Sequence, residues 1–116
     1  MRDGIFGIRF QGQVSGGVGV LIFDNGRVYG ADEARVRYDG EYLFDESSGV
    51  ANVKIKVTFP PNVRSVFGVA NPYEWAFDIE TSFNPKQDTG SLAVKTSFGR
   101  QIAAQYFFLR SLPEAA

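Results

Sequence analysis

The sequence predicts an all-β protein, built as a single antiparallel up-and-down β-barrel of about eight strands with at most one short helix. Apolar and polar residues alternate with a period of two along most of the chain. Clusters of turn-forming residues separate these runs, and the apolar spacing of a helix is scarce. Parallel strands would require crossover helices, so consecutive strands are expected to pair antiparallel. Closing the sheet removes its edges, which favours a barrel, with a two-sheet sandwich as the main alternative.

The alternating runs mark the expected strands. In chain order these cover residues 6–10, 18–23, 27–30, 34–38, 53–59, 73–79, 92–94 and 102–109. Asn25-Gly26 predicts a type I′ hairpin turn between the second and third strands, because both residues tolerate a positive φ. Residues 60–68 begin with proline and end with glycine, and they are the one place where a short helix fits.

Two of the expected strands are apolar on both faces. They are residues 18–23 and residues 102–109, the second with Tyr106, Phe107 and Phe108 in succession. A strand with two apolar faces is either central in a layered fold or covered by another chain. These segments are therefore the first indication of a homodimer contact.

The composition excludes several kinds of chemistry. The chain has no Cys and no His, which removes thiol nucleophiles, Ser-His-Asp triads and most transition-metal sites. With 12 Lys and Arg against 13 Asp and Glu, it lacks the basic excess that displaces counterions from nucleic-acid phosphates. We therefore expect no enzyme activity, no cofactor, no metal and no direct nucleic-acid partner.

The apolar runs and the N-terminal residues bear on the expected compartment. No apolar run approaches the roughly 20 residues that cross a bilayer, and the first residues lack the basic-then-apolar layout of a signal peptide. We expect a cytoplasmic protein with no membrane partner, folded as one domain over residues 1–116.

Paired carboxylates are the remaining route to acid–base catalysis. The acidic clusters are Asp32-Glu33, Asp45-Glu46 and the set formed by Glu74, Asp78 and Glu80. The last set lies on the polar side of a predicted strand, where Lys54 and Lys56 offer cross-strand partners. Consecutive acids point to opposite faces of a strand, so a solvated charged surface is the better interpretation of these clusters.

The alternation also predicts which side chains point into the barrel. Such a set can line an apolar pocket in which tyrosine hydroxyls are the few polar groups, or it can form an ordinary packed core. The spacing does not separate these alternatives. The candidate cavity residues are Phe6, Ile8, Phe10, Val36, Tyr38, Trp75, Phe77, Val94, Tyr106 and Phe108.

Several short motifs occur in an order that resembles the GrlR family, whose members are bacterial negative regulators of type III secretion genes. Beyond these motifs the resemblance continues as strand pattern alone. The motifs are Arg2-Asp3-Gly4-Ile5-Phe6, Gly19-Val20-Leu21-Ile22 with the Asn25-Gly26 turn, Gly30-Ala31-Asp32 and Tyr38-Asp39-Gly40.

The resemblance implies a lipocalin-like barrel with a short helical piece, a homodimer, and an apolar interior that accepts a lipid-like molecule. It also implies function by protein contact, since the family's founder sequesters a transcriptional activator through a run of consecutive acids on a surface loop. The matching place here is Asp45-Glu46-Ser47-Ser48, which keeps two acids. Asp45 and Glu46 are therefore the candidate partner-binding residues.

The expected function is that of a non-enzymatic regulator that binds a protein partner such as a transcriptional activator. The alternative is a carrier that holds a small, lipid-like molecule inside the barrel.

Overall fold

The structure, a computed structural model, describes residues 3–12 and 14–113. Within this part of the chain, eight strands form a closed antiparallel barrel in sequence order, and β1 pairs with β8 to close it. The predicted fold class is confirmed, and the described residues contain no helix. The strands are β1 Gly4–Gln11, β2 Gly16–Asp24, β3 Arg27–Asp32, β4 Arg37–Asp45, β5 Val50–Phe59, β6 Trp75–Phe83, β7 Thr89–Thr96 and β8 Gln101–Ser111.

Strand β5 shows how the alternating pattern builds the barrel wall. Val53, Ile55 and Val57 are buried inside, whereas Lys54 and Lys56 between them are exposed. Successive side chains of a strand point to opposite faces, so one face of β5 belongs to the core and the other to solvent.

The barrel has two ends of different construction. We call the end formed by residues 12–15, 33–36, 60–74 and 97–100 the open end, of which residue 13 lies outside the described part. The closed end is formed by the connections at residues 25–26, 46–49 and 84–88.

A cluster of aromatic rings fills the barrel at the closed end. The ring of Phe6 lies 5.1 Å from Phe23, 5.7 Å from Phe83 and 5.3 Å from Phe108 between centroids, each in an edge-to-face arrangement. Such contacts stabilise a core beyond the area that they bury. The cluster therefore seals this end of the barrel.

The predicted hairpin turn is confirmed. Asn25 and Gly26 join β2 to β3 with φ values of 50° and 87°, the left-handed conformation that a type I′ turn requires at both positions. The Asn25 amide also donates to Oδ2 of Asp3 at 2.9 Å, which fixes the turn to the start of β1.

Two strand starts were predicted too early. Residues 33–36 form a turn, so Ala34 is not part of a strand. Oδ1 of Asp32 accepts the amides of Ala34 and Val36 at 2.9 and 3.2 Å, and Arg35 adopts a φ of 66°. The sixth strand likewise begins at Trp75 rather than two residues earlier.

Residues 60–68, where a short helix fitted, form turns instead. Asn62 has a φ of 66°, which interrupts a right-handed helix. Farther along, the Ser65 hydroxyl accepts the amides of Phe67 and Val69, both at 3.3 Å. A side chain that satisfies nearby amides in this way competes with helical hydrogen bonding.

One seam of the barrel is weakly paired. β6 and β7 are in register at two positions, Ile79 with Thr96 and Glu80 with Lys95, whereas β7 pairs with β8 over most of its length. Beyond the paired positions, the Thr81 hydroxyl donates to the Ala93 carbonyl at 3.2 Å. A side chain thus bridges part of this seam.

Candidate ligand cavity inside the barrel

The barrel interior is hollow between the aromatic cluster and the open end. The cavity has a volume of about 160 Å³ and its walls are almost entirely apolar. Most of the aliphatic side chains that line it come from six of the strands; these are Ile8, Leu21, Val53, Ile55, Val57, Ile79, Leu92, Val94, Ile102 and Ala104.

The mouth of the cavity lies at the open end, where three connections meet. It is bordered by residues 15–17 at the start of β2, 32–34 at the end of β3, and 64–66 between β5 and β6. The polar groups of the lining are concentrated here, among them Asp32, Glu33 and Arg64. An apolar interior with a polar mouth suits a molecule whose buried part is apolar.

Tyr38 and Asp32 form a hydrogen-bonded pair at this mouth. The Tyr38 hydroxyl donates to Oδ2 of Asp32 at 2.7 Å, while Oδ1 accepts the two amides of the 33–36 turn. Burial first, and then the charge of Asp32 and the hydrogen bond to it, raise the pKa of Tyr38 far above its ordinary value. Tyr38 is therefore a neutral donor, and both oxygens of Asp32 are engaged by the protein.

Two other hydroxyls of the lining, those of Tyr106 and Thr81, are also engaged. Tyr106 donates to the Asn84 carbonyl at 3.0 Å, and burial raises the pKa of Tyr106. Thr81 donates to the Ala93 carbonyl. Because the hydroxyls of Tyr38, Thr81 and Tyr106 are all directed to protein oxygens, the interior presents carbon atoms to a ligand.

The structure brings most of the predicted cavity residues together. Phe6, Ile8, Phe10, Val36, Tyr38, Phe77, Val94 and Tyr106 line the cavity. The remaining two pack behind other aromatic rings, Trp75 stacked on Phe59 with centroids 4.8 Å apart and Phe108 against Phe6. Ligand binding by the set stays a prediction.

Sequence reasoning missed part of the lining. Ile55 and Val57 line the cavity, and the clear alternation of their strand was a sufficient signal to include them. Asp32 stands out in the sequence only as an acid beside Glu33, and no local pattern shows that its carboxylate accepts the Tyr38 hydroxyl. That pairing depends on how the 33–36 turn folds back.

The structure places Asp45 at the end of β4 and Glu46 at the start of the turn that follows, both exposed at the closed end, opposite the cavity mouth. Oδ1 of Asp45 accepts the Ser47 hydroxyl at 2.6 Å and the Ser47 amide at 2.9 Å. These hydrogen bonds lower the pKa of Asp45 below its ordinary value. The turn therefore carries an ionised, locally ordered carboxylate.

The other acidic cluster lies on the outer wall. Lys54 Nζ is 3.8 Å from Glu80 Oε1, and Lys56 is in register with Asp78. All four side chains are exposed. They form the solvated charged surface that the alternation predicted. Within residues 3–12 and 14–113, no group of three Asp or Glu could hold a metal ion.

The two segments with apolar faces on both sides lie one strand apart. β1 separates β2 from β8, and Gly7 is in register with both Val20 and Phe107. The Phe107 ring covers Gly7, since a Cβ there would lie 2.2 Å from it. We call the outward side chains around this point the outer apolar face; they are Ile5, Val18, Val20, Ile22, Phe107 and Leu109.

Fold and site together define a closed up-and-down β-barrel with an apolar internal cavity. Comparison with known proteins adds no family to this description, because no protein-family model matches the chain and no curated protein matches it. None of the described residues forms a helix that could cross a membrane.

Proposed function

We propose that the protein binds a small apolar molecule, or the apolar part of a larger one, inside its barrel. The observation that carries this proposal is the hollow interior, whose hydroxyls at Tyr38, Thr81 and Tyr106 are all occupied by protein acceptors. A polar ligand would find few unused partners there, and burying its polar groups without partners is unfavourable. An apolar ligand replaces empty space with contacts.

The size of the cavity limits the ligand. Its volume of about 160 Å³ is close to that of an apolar protein cavity of roughly 150 Å³ that binds benzene. We therefore propose a group of the size of one aromatic ring or a short alkyl segment. A longer molecule would extend through the mouth between residues 15–17, 32–34 and 64–66.

Two adjacent alanines of β8 provide a matched test. Ala104 lines the cavity, whereas Ala103 is exposed on the outer wall. We expect Ala104→Phe to weaken binding of benzene and indole, measured by isothermal titration calorimetry, by about tenfold or more. Ala103→Phe should bind as the wild type does.

The result must be separated from a loss of folding. Far-ultraviolet circular dichroism and the thermal midpoint of each variant show whether the barrel is intact, and Ala104→Leu offers a smaller increase in volume. Equal affinity for folded Ala104→Phe and Ala103→Phe, or no binding by the wild type, would refute cavity binding.

A second candidate function is regulation through a protein partner, as the resemblance to the GrlR family implies. The observation that favours it is the β4–β5 hairpin, which exposes Asp45, Glu46 and Leu43, the last with 77% of its surface accessible. An acidic turn beside an exposed apolar side chain suits a partner with a basic, partly apolar surface, such as a transcriptional activator.

The acidic turn can be tested by charge-neutral substitution. We expect Asp45→Asn/Glu46→Gln to lose a partner that the wild type captures from a bacterial lysate, and the capture to weaken with salt. The control is Asp39→Asn/Glu41→Gln, which neutralises two exposed acids on the wall of β4. A partner captured equally by both variants does not use the turn.

We also propose that a second copy of the chain covers the outer apolar face, as expected for a homodimer. Apolar interfaces are typical of permanent homodimers, and both segments that the sequence indicated contribute to this single face. Val20→Glu should shift the sedimentation coefficient towards the monomer. Leu43→Glu, an equally large change on another wall, should leave it unchanged.

A further inference from the structure

Exposed apolar side chains are unevenly distributed over the two ends of the barrel. Among the described loop residues, those that expose a large apolar side chain all belong to the open end, and each is between 45 and 60% exposed. The connections of the closed end contribute none within the described chain. The four residues are Val14, Val69, Tyr73 and Phe98.

Three of these residues belong to one continuous rim beside the cavity mouth. The Val14 amide donates to the Val66 carbonyl at 2.9 Å, and a Cβ on Gly68 would lie 3.2 Å from the Val14 side chain. On the other side, the Phe98 ring is 5.1 Å from that of Phe67. Residues 66–69 thus connect Val14 to Phe98. We call Val14, Val69 and Phe98 the apolar rim.

Basic side chains accompany the apolar rim. Arg64 borders the mouth and is exposed, and Arg35 is exposed on the neighbouring turn. Arg100 lies over the Phe67 ring, with its guanidinium carbon 6.0 Å from the centroid. Of the acids at this end, Asp32 is held by Tyr38.

The remaining acids of the open end do not offset its arginines. Glu74 is paired with Arg37 at 3.2 Å, which leaves Glu33 as an exposed acid beside the mouth.

The closed end has the opposite character. Asp45 and Glu46 are exposed where β4 turns into β5, and the β6–β7 connection exposes Asp88 and Lys86, so that acidic residues outnumber basic ones here. A negatively charged surface would therefore repel the closed end and attract the open end. This difference gives the barrel a preferred orientation near such a surface.

We infer that the open end docks on the headgroup region of an anionic lipid bilayer, with the apolar rim inserted and the arginines at the lipid phosphates. Exposed aromatic and aliphatic side chains flanked by basic residues are the usual means of binding at this depth. The inference rests on the proposed cavity function, and it names the bilayer as the source of the apolar ligand. The inference differs from the expectation of no membrane partner. That expectation rested on the absence of long apolar runs, which bears on crossing a bilayer and not on contact with its surface.

Docking places the cavity mouth against the lipid. Residues 64–66 border the mouth; the Val69 amide donates to the Ser65 hydroxyl, and Phe98 packs on Phe67, the next residue along the chain. An acyl chain or another apolar group could then pass from the bilayer to the cavity without crossing water. The ligand class that follows is an amphiphile with an apolar tail and a head that remains at the mouth.

The test is flotation of the full chain with vesicles of phosphatidylcholine, with and without phosphatidylglycerol. We expect the protein to float with the anionic vesicles and to be released by salt, because counterions screen the arginines. Val69→Ser/Phe98→Ser should reduce the floated fraction by about tenfold. The control is Leu43→Ser, which removes a still more exposed apolar side chain from the outer wall of β4, away from both the rim and the outer apolar face.

A charge variant protects the test against misfolding, since Phe98 also contacts Phe67 and Phe77. Arg64→Glu changes an exposed side chain and should reduce flotation with anionic vesicles specifically. Failure to float, or flotation that neither the rim substitutions nor Arg64→Glu reduces, would overturn the inference. Calorimetry with benzene and indole, in the absence of vesicles, reports separately on the cavity, so the two proposals can fail independently.

Discussion

The Tyr38 hydroxyl donates to Oδ2 of Asp32 at 2.7 Å, at the mouth of the internal cavity. Asp32 also holds the 33–36 turn through its other oxygen. One carboxylate therefore connects the inner wall of β4 to the turn that borders the mouth. These hydrogen bonds stabilise the conformation of the mouth, and together with burial the contact with Asp32 keeps the Tyr38 phenol neutral.

Removing the Tyr38 hydroxyl should destabilise the protein. Tyr38→Phe leaves a half-buried carboxylate oxygen without its donor, and we expect a loss of about 1–2 kcal/mol in the free energy of unfolding, measured with urea. Tyr29→Phe is the matched control, since the Tyr29 hydroxyl lies 3.5 Å from Asp24 and forms a weaker bond. Equal losses in the two variants would show that the Tyr38–Asp32 pair has no special role.

Alkaline pH should unfold the protein through its buried tyrosines. The pKa of Tyr38, Tyr42 and Tyr106 is raised by burial, so the unfolded chain releases these protons at a lower pH than the folded chain does. The stabilisation is complete below the ordinary tyrosine pKa of about 10 and is lost as the pH rises above it.

Tyrosinate absorbance and circular dichroism, recorded on the same samples, measure this effect. We expect ionisation of these three tyrosines to coincide with the loss of strand signal. If every tyrosine ionises near pH 10 while the barrel stays folded, the three hydroxyls are not buried as described.

The aromatic cluster of the closed end should contribute strongly to stability. Phe6 is 1% exposed and contacts three other rings of the cluster edge-to-face. Phe6→Ala should cost about 3–5 kcal/mol in the free energy of unfolding, because it removes buried surface and leaves a void. Leu43→Ala should change it by less than about 0.5 kcal/mol, since Leu43 lies in solvent. Similar values for both would contradict the described core.

The seam between β6 and β7 should open more readily than the rest of the barrel. Because few positions of β6 and β7 are paired, fewer hydrogen bonds must break to expose the amides of this seam to solvent. In hydrogen exchange, the amides of residues 81–83 and 91–93 that point into the seam should therefore exchange faster than those of β4 and β5, whereas the alternate amides face the paired strands β5 and β8. Exchange as slow as in β5 would show that the seam is as firmly closed as the other strand pairs.

A disulfide can lock the seam, because the chain has no cysteine of its own. Glu80 and Lys95 are in register across the seam, and both side chains are exposed on the outer wall. Oxidised Glu80→Cys/Lys95→Cys should slow exchange at the seam. Leu43→Cys/Asn52→Cys, which joins two residues already in register in β4 and β5, should leave it unchanged.

The strands and the hairpin turn could be predicted from sequence because their causes are local. Alternation at Val53, Ile55 and Val57 needs no knowledge of other strands, and Asn25-Gly26 determines its own turn. The 33–36 turn could not be predicted, since it depends on Asp32 accepting two amides and on Arg35 adopting a positive φ.

Many of the residues that line the cavity could be predicted from the sequence, but the volume of the cavity could not. Alternation indicates that Phe77 and Val94 point inward, which the structure confirms. Whether inward side chains meet or leave space depends on the register of strands that are far apart in sequence. A small residue such as Ala104, which lines the cavity from β8, leaves room that no single strand pattern reveals.

The most direct test of the central claim is a nuclear Overhauser experiment with benzene on the isotopically labelled protein. We predict contacts between benzene protons and the methyl groups of Ile55, Leu92 and Val94, which line the cavity. Contacts confined to Val18 and Val20, whose side chains lie on the outer apolar face, would contradict a ligand site inside the barrel.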